Sequence, residues 1–332
     1  MASQKRVHVA VAVIRKFKDE KASILISKRA DHLHQGGLWE FPGGKVESDE
    51  TVQTALCREL EEELGIKVVS ESLEPLIQIR HDYPDKQVLL DVWLVDSFDG
   101  EAYGREGQPL KWVYPPELYK YSFPAANQPI IHAVNLPRRY LITPQAPSLE
   151  ALKEFIQQAI DSGFTVIQVR QHQLDAASFI YWAKELSEWF GADAGCKLIF
   201  NSDLSVLQQL PPHVSWHLNS NALTSFDLER DQLPDLVGAS CHNAEELKLA
   251  EALGVSYALL SPVRETSSHP GQPGMGFEQF QRLVRGVSCP VYALGGLDDS
   301  HMNEAIAYGA QGIAAISAWQ KMINPKKEAI DE

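Results

Sequence analysis

The stretch "GGKVESDETVQTALCRELEEELGI", residues 43–66, carries seven acidic residues in a segment otherwise built for a helix. At about 100° per residue, Val52, Ala55 and Leu56 share a face with Glu59, Glu62 and Glu63, so the stripe begins apolar and turns acidic. A glutamate cluster on a helix is commonly a solvated face. Here the carboxylates stand at i, i+3 and i+4, where like charges repel by roughly 0.2–0.5 kcal/mol per pair, and they continue a core-facing stripe. A divalent cation resolves both costs. All-oxygen ligands suit Mg²⁺ or Mn²⁺, which keep some waters and accept phosphate oxygens. The preceding "EFPGGK" supplies a turn in which Gly43 and Gly44 permit close backbone approach, so a Gly43 carbonyl could face the ion. Arg58 sits beside Glu59 and could hold a carboxylate by a bidentate pair, and Leu60 and Ile66 read as core anchors.

The rest of the chain sets bounds on partners. Its 332 residues, 44% hydrophobic, suit two domains better than one. A formal net charge of -14 argues against generic binding to duplex nucleic acid or an anionic membrane, both of which need a basic face. A phosphate ligand would then need local Arg, Lys or a metal. The four cysteines, Cys57, Cys196, Cys241 and Cys289, show no zinc-site spacing and read as buried free thiols. The apolar run Val7 to Ile14 is too short for a signal or a span, so a cytoplasmic location is expected.

Two patterns follow one another along the chain. Val7 to Ile14 and Ser23 to Ser27 read as strands around a charged turn, "RKFKDEKA", and Lys86 to Phe98 as a further strand region, giving an α+β first domain. "FPAANQPIIHAVNLPRR" then mixes prolines and asparagines around a short helix, which places domains at 1–134 and 135–332. Beyond it "YLIT", "TVIQVR", "KLIFN", "VSWHL", "LVGAS", "SYALLS", "VYALGG" and "GIAAIS" alternate with helical stretches. Eight such units predict a (β/α)8 TIM barrel, with a doubly wound open sheet as the alternative. Fewer than 200 residues remain for it, so its helices must be short or partly absent. The final "KKEAIDE" reads as a frayed end.

Gly44, Glu50, Arg58, Glu59, Leu60, Glu62, Glu63, Gly65 and Ile66 fit the full Nudix box without a mismatch. The first domain therefore resembles the Nudix hydrolases, which split nucleoside diphosphates linked to another moiety. Within them, "SKRADHLHQGGLWEFPGGK", "GEAYGREGQPLKW" and "FPAANQPI" resemble the MutT type, the 8-oxo-dGTP diphosphatases. That resemblance implies a Nudix fold, with a mixed sheet between helices. It implies that Gly43, Glu59, Glu62, Glu63 and Glu106 hold the metal, with a base among the glutamates. It also implies that Arg29 and His34 contact the nucleotide, that Phe41 and Pro42 line its site, and that Asn127 reads the purine edge. The chemistry agrees: an Asn amide pairs a donor with an acceptor, and Arg pairs with phosphate. Taken alone, Asn127 would suit a loop cap and His34 the surface.

Residues 139–320 resemble thiamine-phosphate synthase and its relative TenI, a thiazole tautomerase, through "VIQVRQ", "WHL", "GASCHNAEEL", "SPVRETSSHPG", "ALGGL" and "GIAAISAW". The resemblance implies a phosphate cradle at Gly295, Gly296 and Ser317, and a functional His242 that could move protons. Where the synthase places acids for magnesium pyrophosphate, this chain has Ser202 and Ala222, unless Asp203 substitutes by a register shift, and "RQH" replaces the basic residue after the second strand.

The expectation is a Mg²⁺-dependent hydrolase converting 8-oxo-dGTP to 8-oxo-dGMP and pyrophosphate, with a degenerate barrel. Two alternatives stand beside it. One is hydrolysis of a thiamine-related diphosphate, with the barrel in the same pathway. In the other the barrel is a non-catalytic sensor or scaffold for a phosphorylated thiazole or thiamine ligand.

Overall fold

The computed structural model describes residues 6–19, 21–32, 35–83, 86–191, 194–224, 232–266, 271 and 273–324. The "KKEAIDE" end lies outside them. The chain divides into two compact units, Met1–Asn135 and Leu136–Glu332. The division falls one residue beyond the boundary read between 134 and 135. Asn135 belongs to the first unit because its Nδ2 donates to the Ile131 carbonyl at 2.9 Å and to the Pro115 carbonyl at 3.1 Å.

In the first unit, strands β1 (Arg6–Lys18), β2 (Lys21–Lys28), β3 (Trp39–Glu40) and β4 (Gly43–Lys45) lead into helix α1 (Val52–Leu64). Strands β5 (Lys67–Val68), β6 (Glu74–Asp82), β7 (Gln87–Val95), β8 (Phe98–Asp99) and β9 (Leu110–Val113) precede helix α2 (Gln128–Asn135). The main sheet runs β3-β2-β1-β7-β6, with β4 on β1 and β9 on β2, while β5 pairs with β8. It is mixed: β1 and β7 are parallel and their neighbours antiparallel.

Alternation along β1 feeds two cores. Ala10, Ala12 and Ile14 pack with Ala55, Leu56, Leu60 and Leu64 of α1, whereas Val11 and Val13 pack with Ile130, Ile131 and Ala133 of α2. Successive strand side chains leave opposite faces, so the sheet lies between the two helices. Each fully buried Leu or Ile contributes about 1.5–3 kcal/mol.

The charged turn is shorter than "RKFKDEKA" suggested. The β1–β2 ladder continues through Arg15↔Ile24 to Lys18↔Lys21, because backbone pairing needs no buried side chains once the strands are in register. Arg15 instead grips Asp96, donating from Nε at 2.6 Å and from Nη2 at 2.5 Å.

The second unit is a closed barrel of eight parallel strands, not an open sheet. The strands are β10 (Arg139–Ile142), β11 (Val166–Arg170), β12 (Lys197–Ser202), β13 (Ser215–Leu218), β14 (Val237–Cys241), β15 (Tyr257–Leu260), β16 (Val291–Leu294) and β17 (Gly312–Ala315). β17 returns to pair with β10. Helices α3 (Leu149–Asp161), α4 (Ala176–Trp189), α5 (Leu204–Leu207), α6 (Ser220–Leu223), α7 (Ala244–Leu253), α8 (Gly276–Val284), α9 (Met302–Ala307) and α10 (Ser317–Ile323) cover it. The compact length is met by α5 and α6, each of four residues.

Cys241 and Cys289 are buried free thiols, whereas Cys57 and Cys196 are partly exposed. Among the described residues no helix is long and apolar enough to cross a membrane.

Candidate active site

Helix α1 is held at both ends by local chemistry. The Thr51 side chain accepts from the Thr54 amide at 3.1 Å, satisfying a donor that the first turn leaves free. At the other end Gly65 sits at φ 71°, in the left-handed region where glycine alone is unstrained. Between the caps, the buried stripe runs through Ala55, Leu56, Leu60 and Leu64. It therefore stays apolar to the end of the helix and does not turn acidic. Glu59 and Glu63, four residues apart, lie beside it, and their surroundings differ from those of Glu62.

Four carboxylates converge near β3 and β4. Burial, and then the negative charges of Glu59, Glu40 and Glu106, push the Glu63 carboxyl up to about 8, although the Gly43 amide donates to it. Glu40 is likewise raised by burial, opposed by Arg29, whose Nη1 donates to Glu40 Oε2. Glu59 faces the glycine turn, and a Cβ at Gly44 would overlap its carboxylate. The side chain of Glu62 is 61% exposed and accepts from Arg58 Nη1 at 3.3 Å.

Arg58 gathers several of these groups. Its Nε and Nη2 hold Glu50 at 3.2 and 2.7 Å, its Nη1 donates to Glu59 at 2.9 Å, and its Nη2 donates to the Lys45 carbonyl at 3.2 Å. The bidentate partner is thus Glu50 rather than Glu59, because Glu50 approaches from the loop ahead of the helix while Glu59 is adjacent on the helix itself.

Among the described residues no group of three His, Cys, Asp or Glu side chains is closed around an ion position. The donor set nonetheless fits a hard divalent cation. It is all oxygen, it shares a site with a glycine turn, and burial, reinforced by mutual repulsion, holds one carboxyl protonated at neutral pH.

Beside these acids lies a cleft of about 620 Å³, and it brings together Arg29, Glu40, Phe41, Gly43, Glu63, Glu106 and Asn127. Val11, Val88 and Leu90 give it an apolar wall, while Lys28, Lys45 and Lys86 add positive charge. Phe41 stacks on Phe123 with centroids 5.4 Å apart. Asn127 closes the short turn Ala125–Asn127, its amide donating to the Pro124 carbonyl at 2.9 Å. Arg29 Nε is buried with no hydrogen-bond partner among the described residues.

Pro42 does not line the cleft; its carbonyl accepts from the Ala12 amide at 2.8 Å and fixes the turn to β1. His34 lies outside the described residues. Glu40 is the cleft residue that sequence reasoning passed over. Its signal was its place in "EFPGGK", directly before Phe41.

In the barrel, Gly295 and Gly296 follow β16 at φ 107° and 64°, and Ser317 opens α10. His242 follows β14. Its Nδ1 lies 3.0 Å from Glu246 Oε2 and 3.1 Å from Ser220 Oγ, and its side chain is about half exposed, 49%. Ser202 ends β12 and Ala222 is buried in α6. Asp203 precedes α5, its Oδ1 accepting from Asn219 Nδ2 at 3.1 Å. Further inside, the Tyr140 and Tyr257 hydroxyls meet at 2.6 Å, and His217 joins Tyr257 to Ser240 through contacts of 3.2 and 2.9 Å. Burial, and then the charge of Arg170, lower the His217 pKa to about 3, so this imidazole is neutral.

Comparison with known proteins agrees with this division. Residues 10–133 match the NUDIX domain, and residues 139–319 match the family described as thiamine monophosphate synthase. The 8-oxo-dGTP diphosphatase of Escherichia coli K12 is 40% identical over 127 residues, 38% of this chain and 95% of that protein. The CTP pyrophosphohydrolase of the same organism is 36% identical over 129 residues, 39% of this chain and 91% of its own length. A putative thiamine-phosphate synthase 2 of Aquifex aeolicus is 30% identical over 195 residues, 55% of this chain and 98% of that protein. The chain is a fusion: an N-terminal Nudix hydrolase domain, homologous to 8-oxo-dGTP diphosphatases, precedes the barrel through which it belongs to the thiamine monophosphate synthase family.

Proposed function

We propose that the N-terminal domain hydrolyses 8-oxo-dGTP to 8-oxo-dGMP and pyrophosphate, clearing an oxidised precursor from the cytoplasmic nucleotide pool. The observation that carries this reading is the convergence of Glu40, Glu59, Glu63 and Glu106 at one end of a cleft that also contains Asn127. The Gly43 carbonyl with Glu59, Glu62, Glu63 and Glu106 would hold Mg²⁺ or Mn²⁺. When bound, the metal lowers the pKa of the attacking water and neutralises charge on the phosphoryl oxygens.

The chain's own groups do the rest. Arg58 restrains Glu59 and Glu50, so the carboxylates need little reorganisation to receive the ion. Burial holds the Glu63 carboxyl up at about 8 in the metal-free site; as a ligand to the ion it would be the ionised carboxylate. Arg29 and Lys45 face a triphosphate with positive charge. The Phe41–Phe123 stack backs the base, and the Asn127 amide pairs a donor and an acceptor with its edge. A thiamine-related diphosphate as substrate would leave Asn127 without a role.

The barrel reads as a site for a phosphorylated thiazole or thiamine ligand rather than as a synthase. Ser202 and Ala222 offer no carboxylate to a magnesium pyrophosphate, and the Asp203 carboxylate is engaged by Asn219. Gly295, Gly296 and Ser317 would cradle a phosphate, and His242, held by Glu246 and Ser220, could pass a proton.

Product analysis tests the N-terminal assignment. The full chain with Mg²⁺ should release one pyrophosphate and one 8-oxo-dGMP per 8-oxo-dGTP; release of orthophosphate, or no turnover, would overturn it.

A further inference from the structure

Glu40 touches two systems at once. It sits on β3 in register with Ser27 of β2, two residues from Arg29 along the same hairpin. Its Oε2 accepts from Arg29 Nη1, and its charge reaches Glu63. A guanidinium presents its donors in a rigid planar fork. With Nη1 spent on Glu40, the remaining edge is formed by Nη2 and by Nε, a buried nitrogen with no partner among the described residues. Arg29 lines the cleft, so the Nη2 end of the guanidinium is left for an anionic oxygen there.

Among the described residues Glu40 is the side chain that holds the Arg29 guanidinium. Its backbone is fixed, the amide donating to the Leu38 carbonyl at 3.0 Å and the carbonyl accepting from the Gly37 amide at 3.1 Å. The side chain is 31% exposed, and its ion pair is with Glu40. Without that carboxylate a long, flexible side chain would have to be ordered at the moment of binding.

We propose that Glu40 is a positioning residue for nucleotide binding: it clamps one end of the Arg29 guanidinium so that the Nη2 end is presented to an anionic oxygen of the nucleotide in the cleft. This rests on the reading of the domain as a nucleoside triphosphate hydrolase. Glu40 acts through Arg29 and takes no part in breaking the phosphoanhydride bond.

A double-mutant cycle tests it in the full-length protein, with steady-state hydrolysis of 8-oxo-dGTP in Mg²⁺. Glu40→Ala and Arg29→Ala should each raise KM about tenfold (near 1.4 kcal/mol) with kcat changed less than about threefold. The double variant should be no worse than either single one, because each removes the same clamped edge. Glu40→Gln, which keeps an acceptor for Arg29, should recover most of the lost KM and guards against a folding defect in Glu40→Ala. Additive losses, or a fall in kcat with KM unchanged, would overturn the clamp and assign Glu40 to the reacting centre. A parent protein that hydrolyses no nucleoside triphosphate would overturn the functional reading, and the clamp with it; a parent that does, with additive losses, overturns the clamp alone.

Discussion

Gly44 lies directly against Glu59: a Cβ at position 44 would overlap the carboxylate carbon and both its oxygens. The glycine turn and the acidic helix therefore form one device, in which a missing side chain gives a carboxylate its place. Gly44→Ala should displace Glu59 and lower kcat by about 10²-fold, as a misplacement of about 1 Å does elsewhere. The thermal midpoint should fall only a few degrees. A variant with parental kcat would show that the position of Glu59 is immaterial to turnover.

Glu63 makes the metal-free protein sensitive to pH. Its carboxyl ionises at about 8 in the folded chain, against an ordinary value of 4.5. Below 4.5 both states hold the proton and Glu63 contributes no difference. As pH rises from 4.5 towards 8 the unfolded state loses its proton first, so stability falls, and the loss is complete above 8. The thermal midpoint of metal-free protein should drop by roughly 5 °C or more across this window, and Glu63→Gln should flatten the profile. Added Mg²⁺ should restore the parent. Calorimetry at stepped pH checks all three.

Asn127→Ala should reduce the preference for 8-oxo-dGTP over dGTP by about 10- to 100-fold while leaving kcat for dGTP near parental, since a lost pair of hydrogen bonds removes discrimination rather than chemistry. An unchanged ratio of kcat/KM values would remove Asn127 from base recognition.

Thiazole phosphate or thiamine monophosphate should bind the barrel of the full-length protein with affinities that change less than about twofold between Mg²⁺ and EDTA, because Ser202 and Ala222 supply no ligand charge. Titration calorimetry under the two conditions measures this. Tenfold tighter binding in Mg²⁺ would restore a metal site to the barrel.

Much of this was legible in residue order. The eight apolar runs became β10 to β17 in sequence, and Ala55, Leu56 and Leu60 of α1 are buried as their spacing predicts. What residue order obscured depends on contacts between distant segments. Spacing alone put Glu62 on the same face as Glu59 and Glu63, yet its side chain is 61% exposed and shares Arg58 Nη1 with Glu59. Residue order left open which carboxylate Arg58 grips; its bidentate partner, Glu50, arrives from the preceding loop. Glu40 was hidden because its meaning comes from Arg29 across the β2–β3 pairing and from Glu63 on α1, neither of which its own neighbours reveal. The charged hairpin continued its ladder because register, once set in the core, extends without apolar side chains.

The central claim is that the acids and the Asn127 cleft serve one substrate. Its most direct test is kcat/KM in Mg²⁺ for 8-oxo-dGTP, dGTP, CTP and thiamine diphosphate, measured with one preparation of the full chain. The account predicts that 8-oxo-dGTP exceeds each of the others by at least about 10²-fold. Equal values for 8-oxo-dGTP and dGTP, or a preference for CTP or thiamine diphosphate, would contradict it while leaving the hydrolytic chemistry in place.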